Sequence, residues 1–265
     1  MLKIEKITDH IHRLELPYKD IFTTVFTVRT PGGVVLVDAA SFDYDIDLIL
    51  PFLQEMGVTA QELKYIFITH NHCDHSGCLG PVLKAFPEAV VISRSPYLHS
   101  CYPQGHCISM EDGELFLDTL QVVTIPGHTM DSAGILDLRT KTLISGDSLQ
   151  AHGIRGSGAW ACNISFPDAH VEAVAKLRSM DIQRILAAHD YEPCGYWVEG
   201  KEAIARNLES CITPLAKIQK LILDNPQLDD EAVAALYNRD PDLRVNVKVV
   251  TAMRKTMAEG KLDPL

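Results

Sequence analysis

Thr69-His70-Asn71-His72-Cys73-Asp74-His75 places three imidazoles and a carboxylate within six residues, at the end of the apolar run Tyr65–Thr69. A packed core does not accept such a cluster, because burying that many polar groups without partners costs several kcal/mol. At the end of a strand, the alternate residues His70 and His72 point the same way, toward one metal ion. Asp74 and His75 turn away as the chain enters the next helix, where they can serve a second ion. Histidine and aspartate are ligand types that borderline metals such as zinc accept. Cys73 sits at a spacer position and reads as an ordinary thiol.

One segment does not complete a metal site, and the rest of the chain supplies further ligands. His128 stands in Pro126-Gly127-His128-Thr129 after the apolar run Leu120–Ile125, and Asp147 stands in Ser145-Gly146-Asp147 after Leu143–Ser145. His189 follows Ile185–Ala188. All of these follow strand-like runs, the place where an α/β layer puts a site.

Working outward, the first third reads as strand, turn, strand, helix, strand. Ile21–Arg29 is β-branched and apolar, Pro31-Gly32-Gly33 makes a turn, and Val34–Val37 is a buried strand ending at Asp38. Ile46, Ile49, Leu50 and Leu53 repeat at helical spacing, as do Leu79, Val82, Leu83 and Phe86. Short strands are expected at Ala89–Ser93, Leu120–Ile125, Gly134–Leu138 and Leu143–Ser145, with Ile185–Ala188 the last. Between Ser148 and Pro167 the periodicity fails and Gly153, Gly156 and Gly158 mark a long loop. From Lys201 onward the spacing is helical. The expected organisation is therefore residues 1–200 as a catalytic domain and 201–265 as a helical C-terminal extension, which packs on the core or forms a homodimer surface.

The 265 residues carry a formal net charge of -11, which disfavours nucleic acid as a partner, since phosphate backbones are held by clustered Lys and Arg. Met1–Leu16 interleaves charged with apolar residues and offers no apolar export-signal region, and no run is long enough to span a membrane. Seven cysteines scattered along the chain read as free thiols in a reducing compartment. A cytoplasmic protein with a small-molecule substrate and no membrane partner is the expectation.

The His-x-His-x-Asp-His pattern at 70–75, Pro-Gly-His-Thr at 126–129, Gly-Asp at 146–147 and the final His189 closely resemble the metallo-β-lactamase superfamily. The resemblance implies an α/β fold, an αββα sandwich, with the helical extension appended. It also implies a cofactor of two divalent ions, zinc or alternatively iron or manganese. One ion would take His70, His72 and His128, and the other Asp74, His75 and His189. Asp147 would bridge them with a hydroxide opposite, making Asp74 and Asp147 the catalytic carboxylates. Asp38 matches an acidic residue with a supporting role behind the ligands. Such ions lower the pKa of bound water and polarise a carbonyl or phosphoryl oxygen, so no separate nucleophilic side chain is required.

Within the superfamily, Asp147 disfavours true β-lactamase action and the acidic balance disfavours tRNA processing. The ligand set best suits glyoxalase II-like thioesterases and lactonases, and the expected reaction is hydrolysis of a small ester, lactone or thioester. Ala187-Ala188 before His189, where thioesterase relatives commonly show Gly, leaves the particular thioester open. Two other readings remain: a persulfide dioxygenase holding one iron through His70, His128 and Asp147, and a non-catalytic metal-binding interaction module. His152, Arg155 and Trp160, in the long loop after Asp147, are the candidates for substrate contact. His10, His12, His99, His106 and His170 read as ordinary structural or surface histidines.

Overall fold

The computed structural model describes residues 2–103, 105–155, 161–240 and 244–265, which divide into two compact units, Met1–Val123 and Thr124–Leu265. In the first unit, strands β1 (Lys3–Lys6), β2 (Ile11–Tyr18), β3 (Ile21–Thr30) and β4 (Gly33–Val37) form an antiparallel meander. Helix α1 (Ile46–Glu55) then carries the chain to β5 (Leu63–Phe67), which lies parallel to β4. A single turn α2 (Cys73–Ser76) and helix α3 (Leu79–Ala85) lead to β6 (Val90–Ile92). Helix α4 (Pro96–Cys101) leads to β7 (Cys107–Ile108), and both strands continue the parallel half. The seven strands lie in chain order, β1 to β7. A short antiparallel pair, β8 (Leu115–Phe116) and β9 (Leu120–Thr124), follows.

Apolar residues of β2 to β6 bury against one side of α1 and α3 in one core that includes Leu14, Leu36, Ile66, Val82 and Val91. Helix α1 places Ile49, Phe52 and Leu53 inside, each contributing about 2–3 kcal/mol of apolar burial. Leu50, expected on the buried stripe, is 38% exposed. Phe52 takes the inner position instead, because the buried stripe is narrower than the apolar sequence.

In the second unit, β10 (Ala133–Asp137) pairs antiparallel with β11 (Thr142–Gly146). Helix α5 (Pro167–Ser179) crosses to β12 (Arg184–Ala187), parallel to β11. The Ile185–Ala188 run is not the last strand. β13 (Trp197–Glu199) follows and closes this edge antiparallel to β12. Among the described residues three helices follow, α6 (Lys201–Asp224), α7 (Asp230–Tyr237) and α8 (Val247–Ala258). Their apolar faces meet in one cluster containing Leu215, Ile218, Val233, Tyr237, Val250 and Met253, together with Cys162 and Ile164. The helical stripes thus bury within their own unit. None of the described helices is long and apolar enough to cross a membrane.

Candidate metal centre

Four of the candidate ligands follow strand ends, and His72, Asp74 and His75 stand at and within the α2 turn. β5 stops at Phe67 before His70, β9 at Thr124 before His128, β11 at Gly146 before Asp147, and β12 at Ala187 before His189. The first unit carries His70, His72, Asp74 and His75, and the second carries His128, Asp147 and His189. All seven are buried except His72, which is partly exposed.

In the first unit, His70 Nε2 lies 2.9 Å from His72 Nδ1. Two nitrogens bound to one zinc at 2.0–2.1 Å in tetrahedral geometry stand about 3.3 Å apart, so the observed spacing fits a shared cation to within a few tenths of an ångström. His75 Nδ1 lies 2.8 Å from Asp38 Oδ2. A carboxylate there holds the ring proton on Nδ1 and leaves Nε2 as a lone-pair donor, and that nitrogen is 3.7 Å from Asp74 Oδ2. The Thr69 backbone N–H donates to Asp38 Oδ1 at 2.8 Å, and the Thr69 hydroxyl donates to Oδ2 at 2.9 Å. The buried Thr23 hydroxyl donates to the Asp74 carbonyl at 3.0 Å, tying the α2 turn to β3.

In the second unit, one carboxylate faces two imidazoles. Asp147 Oδ1 is 3.4 Å from His189 Nε2, and Oδ2 is 3.9 Å from His128 Nε2. His128 Nδ1 lies 2.7 Å from the Asn163 carbonyl. A carbonyl can only accept, so Nδ1 carries the proton and Nε2 is left to coordinate. Gln150 Nε2 lies 2.9 Å from the same nitrogen, a contact between two donors in this tautomer, while its Oε1 accepts from the Asn163 N–H at 2.8 Å. In both halves the tautomer is set from behind, as imidazole ligands require. In each unit the donors are imidazoles and a carboxylate, with the ring protons of His75 and His128 held on the far side, a donor chemistry that fits divalent ions of the zinc type.

The residues that set these tautomers are where sequence reading fell short. Asn163 and Gln150 stand 35 and 22 residues from His128 in the chain, and no local spacing connects them. His170, expected as an ordinary structural histidine, is buried, with burial pushing its pKa down to about 4, so it is neutral. It fills the space beside Gly127, where an added Cβ would lie 2.6 Å from its Cβ and 2.7 Å from its Nδ1. Gly127 also has φ +142°, and its carbonyl accepts from the Ser165 and Phe166 N–H groups at 2.8 and 2.9 Å. Gly127→Ala is therefore expected to lower unfolding stability by about 2–5 kcal/mol through overpacking and backbone strain, and to weaken metal retention by displacing His128. Denaturant unfolding with elemental analysis measures both, and an unchanged midpoint would contradict the close approach.

The substrate-contact candidates fare differently. Arg155 is engaged by Asp190 Oδ2 at 3.1 Å and Glu192 Oε1 at 2.9 Å. Its N–H donates to the Asp190 carbonyl at 2.7 Å, clasping the loop to the segment after His189. His152 is partly buried, and that burial lowers its pKa. Trp160 lies outside the described residues.

A family model described as the metallo-beta-lactamase superfamily matches residues 18–189. The chain is 31% identical over 193 residues to a hydroxyacylglutathione hydrolase from Acaryochloris marina, covering 68% of each chain. Among solved structures, a metallo-beta-lactamase family protein from Thermus thermophilus superposes with a TM-score of 0.69 at 18% identity, covering 96% of this chain and 95% of that one. A flavo di-iron protein from Thermotoga maritima gives 0.63 at 18% identity, and the match covers 82% of this chain but 62% of that longer one. The chain belongs to the metallo-beta-lactamase superfamily and has its fold, with a helical C-terminal region. It is a metal-dependent hydrolase of that superfamily.

Proposed function

We propose that this hydrolase uses two divalent ions to cleave a small ester, lactone or thioester. In this reading His70, His72 and His128 serve one ion, Asp74, His75, Asp147 and His189 serve the other, and Asp147 is the carboxylate shared by both. The observation that carries this reading is Asp147, whose two oxygens each face a different imidazole nitrogen. The name of the Acaryochloris relative, a hydrolase of a thioester, supports including thioesters. When bound, the ions lower the pKa of a coordinated water and polarise the carbonyl under attack. The chain's own contribution is orientation. Asp38 and the Asn163 carbonyl fix two imidazole tautomers, and the Asp74 and Asp147 carboxylates supply the negative charge that gathers the cations. The catalytic domain in this reading is residues 1–200, with 201–265 as its extension, and the substrate is a small molecule rather than a nucleic acid.

The test is elemental analysis of protein purified without added metal, followed by turnover on a panel of esters, lactones, thioesters and phosphodiesters. Two equivalents of zinc, iron or manganese per chain are expected, with carboxylic substrates turned over and activity lost on chelation. One iron per chain, with oxygen consumed on a persulfide, would replace this reading with the dioxygenase. An intact metal complement with no turnover on any substrate would point to a binding module.

A further inference from the structure

Beside the ligand segment of the first unit lies a group of aromatic rings that the chemistry above does not use. Cys73, between His72 and Asp74, has an exposed side chain, and its sulfur is 3.4 Å from the Tyr18 hydroxyl. The Tyr18 ring lies 6.2 Å from the Phe42 ring, and Phe42 stacks on Tyr44 at 5.1 Å with the planes 18° apart. Tyr18 is 4% exposed, whereas Phe42 is 39% and Tyr44 66% exposed. The rings therefore run from Tyr18, buried beside the ligand segment with the Lys19 ammonium 4.9 Å over its ring, out to solvent at Phe42 and Tyr44.

That strip is fixed in register with the ligands. The Ala39 N–H donates to the His75 carbonyl at 2.7 Å, the Gly77 N–H to Ala40 at 2.9 Å, and the Cys78 N–H to Ala39 at 3.1 Å. The approach is so close that a Cβ on Gly77 would lie 1.8 Å from the Ser41 carbonyl oxygen. Beyond that contact, Asp45 Oδ2 accepts from the Ser41 and Phe42 N–H groups at 2.9 Å each. The loop that begins with Asp38, the residue holding His75, thus ends with two stacked aromatic rings. A loop needing only to support His75 has no use for stacked rings turned to water, whereas a substrate-binding surface gains from rigid aromatic area at low entropic cost.

We propose that Phe42 and Tyr44, backed by the buried Tyr18 ring, form a shelf that receives the apolar acyl group of the substrate, making the enzyme selective for medium-chain or aromatic acyl groups. This rests on the hydrolase reading above and narrows its substrate class. Burial of each acyl methylene against the rings favours the longer substrate, and removing the rings flattens that preference.

The test uses Phe42→Ala, Tyr44→Ala and the double variant, all at exposed positions, with acyl thioesters of N-acetylcysteamine from acetyl to hexanoyl. For the native chain, kcat/KM rises along the series. In the double variant, KM for the hexanoyl thioester rises about tenfold through lost methylene burial, the rise of kcat/KM from acetyl to hexanoyl flattens, and metal content stays at its native value. Calorimetric binding of hexanamide, which is not turned over, reads the shelf separately. Binding that weakens in the variants, in a chain that hydrolyses no ester, would uphold the shelf and remove the hydrolase reading. Turnover without chain-length preference, or preference unchanged in the double variant, would overturn the shelf and leave the hydrolase intact. A native dimer that the double variant converts to monomer would also overturn it, giving the rings to a second copy of the chain.

Discussion

Asp147→Ala is expected to leave the chain folded, to lower its bound metal below the native stoichiometry and to cut turnover by about a thousandfold or more, equivalent to about 4 kcal/mol of transition-state stabilisation. The effect follows from charge and from position. The seven donors contain two carboxylates and five imidazoles, and imidazole binds metal as a neutral ligand. Removing Asp147 therefore halves the negative charge available to two divalent cations. It also removes the group whose oxygens stand 3.4 Å from His189 Nε2 and 3.9 Å from His128 Nε2. Asp147→Asn separates the two contributions, because it keeps the shape and one oxygen but loses the charge. Its metal content should lie between those of the native and alanine proteins. Elemental analysis and steady-state turnover on the same preparations provide the check. An alanine variant with native metal content and native rate would remove Asp147 from the centre and the dinuclear reading with it.

Much of this site was legible because its ligands follow short apolar runs. Strands such as Leu143–Ser145 announce themselves by β-branched and apolar content, and a polar residue of a type that can ligate a metal stands out just past each one. What escaped is what local pattern cannot carry. β13 is an edge strand of three residues, too short for alternation to register. β1 and β2 were hidden by their charges, since Arg13 is buried in the sheet yet paired with Glu5 and Glu15. The loop after Asp147 carries a cation, the candidate substrate contact Arg155. The sequence does not show that Asp190 and Glu192, 35 and 37 residues on, meet that cation. The aromatic strip was missed for the same reason: Tyr18, Phe42 and Cys73 are far apart in the chain and adjacent only through the sheet.

The supporting carboxylate gives the second large expectation, because its two substitutions should fail in different ways. Asp38 is buried with φ 61°, and its carboxylate accepts from the Thr69 N–H, the Thr69 hydroxyl and His75 Nδ1. Alanine there leaves the Thr69 N–H without its acceptor, about 1–3 kcal/mol, and holds a methyl side chain in the left-handed region, about 1–2 kcal/mol more. Asp38→Ala should thus lose about 2–5 kcal/mol of unfolding stability, the sum of those two losses. Asparagine tolerates the left-handed backbone and keeps an oxygen for the Thr69 N–H, so its stability loss should be small. Its amide then turns an NH2 toward His75, where two donors would meet. The imidazole escapes by moving its proton to Nε2, the nitrogen that faces Asp74. Asp38→Asn should therefore fold almost normally yet bind metal about 10–100-fold more weakly, the usual consequence of losing a carboxylate behind a ligating histidine. Metal titration of the asparagine variant beside denaturant unfolding of both variants reads the two effects separately. Native metal affinity in Asp38→Asn would show that His75 keeps its tautomer without the carboxylate, and would leave Asp38 a purely structural residue.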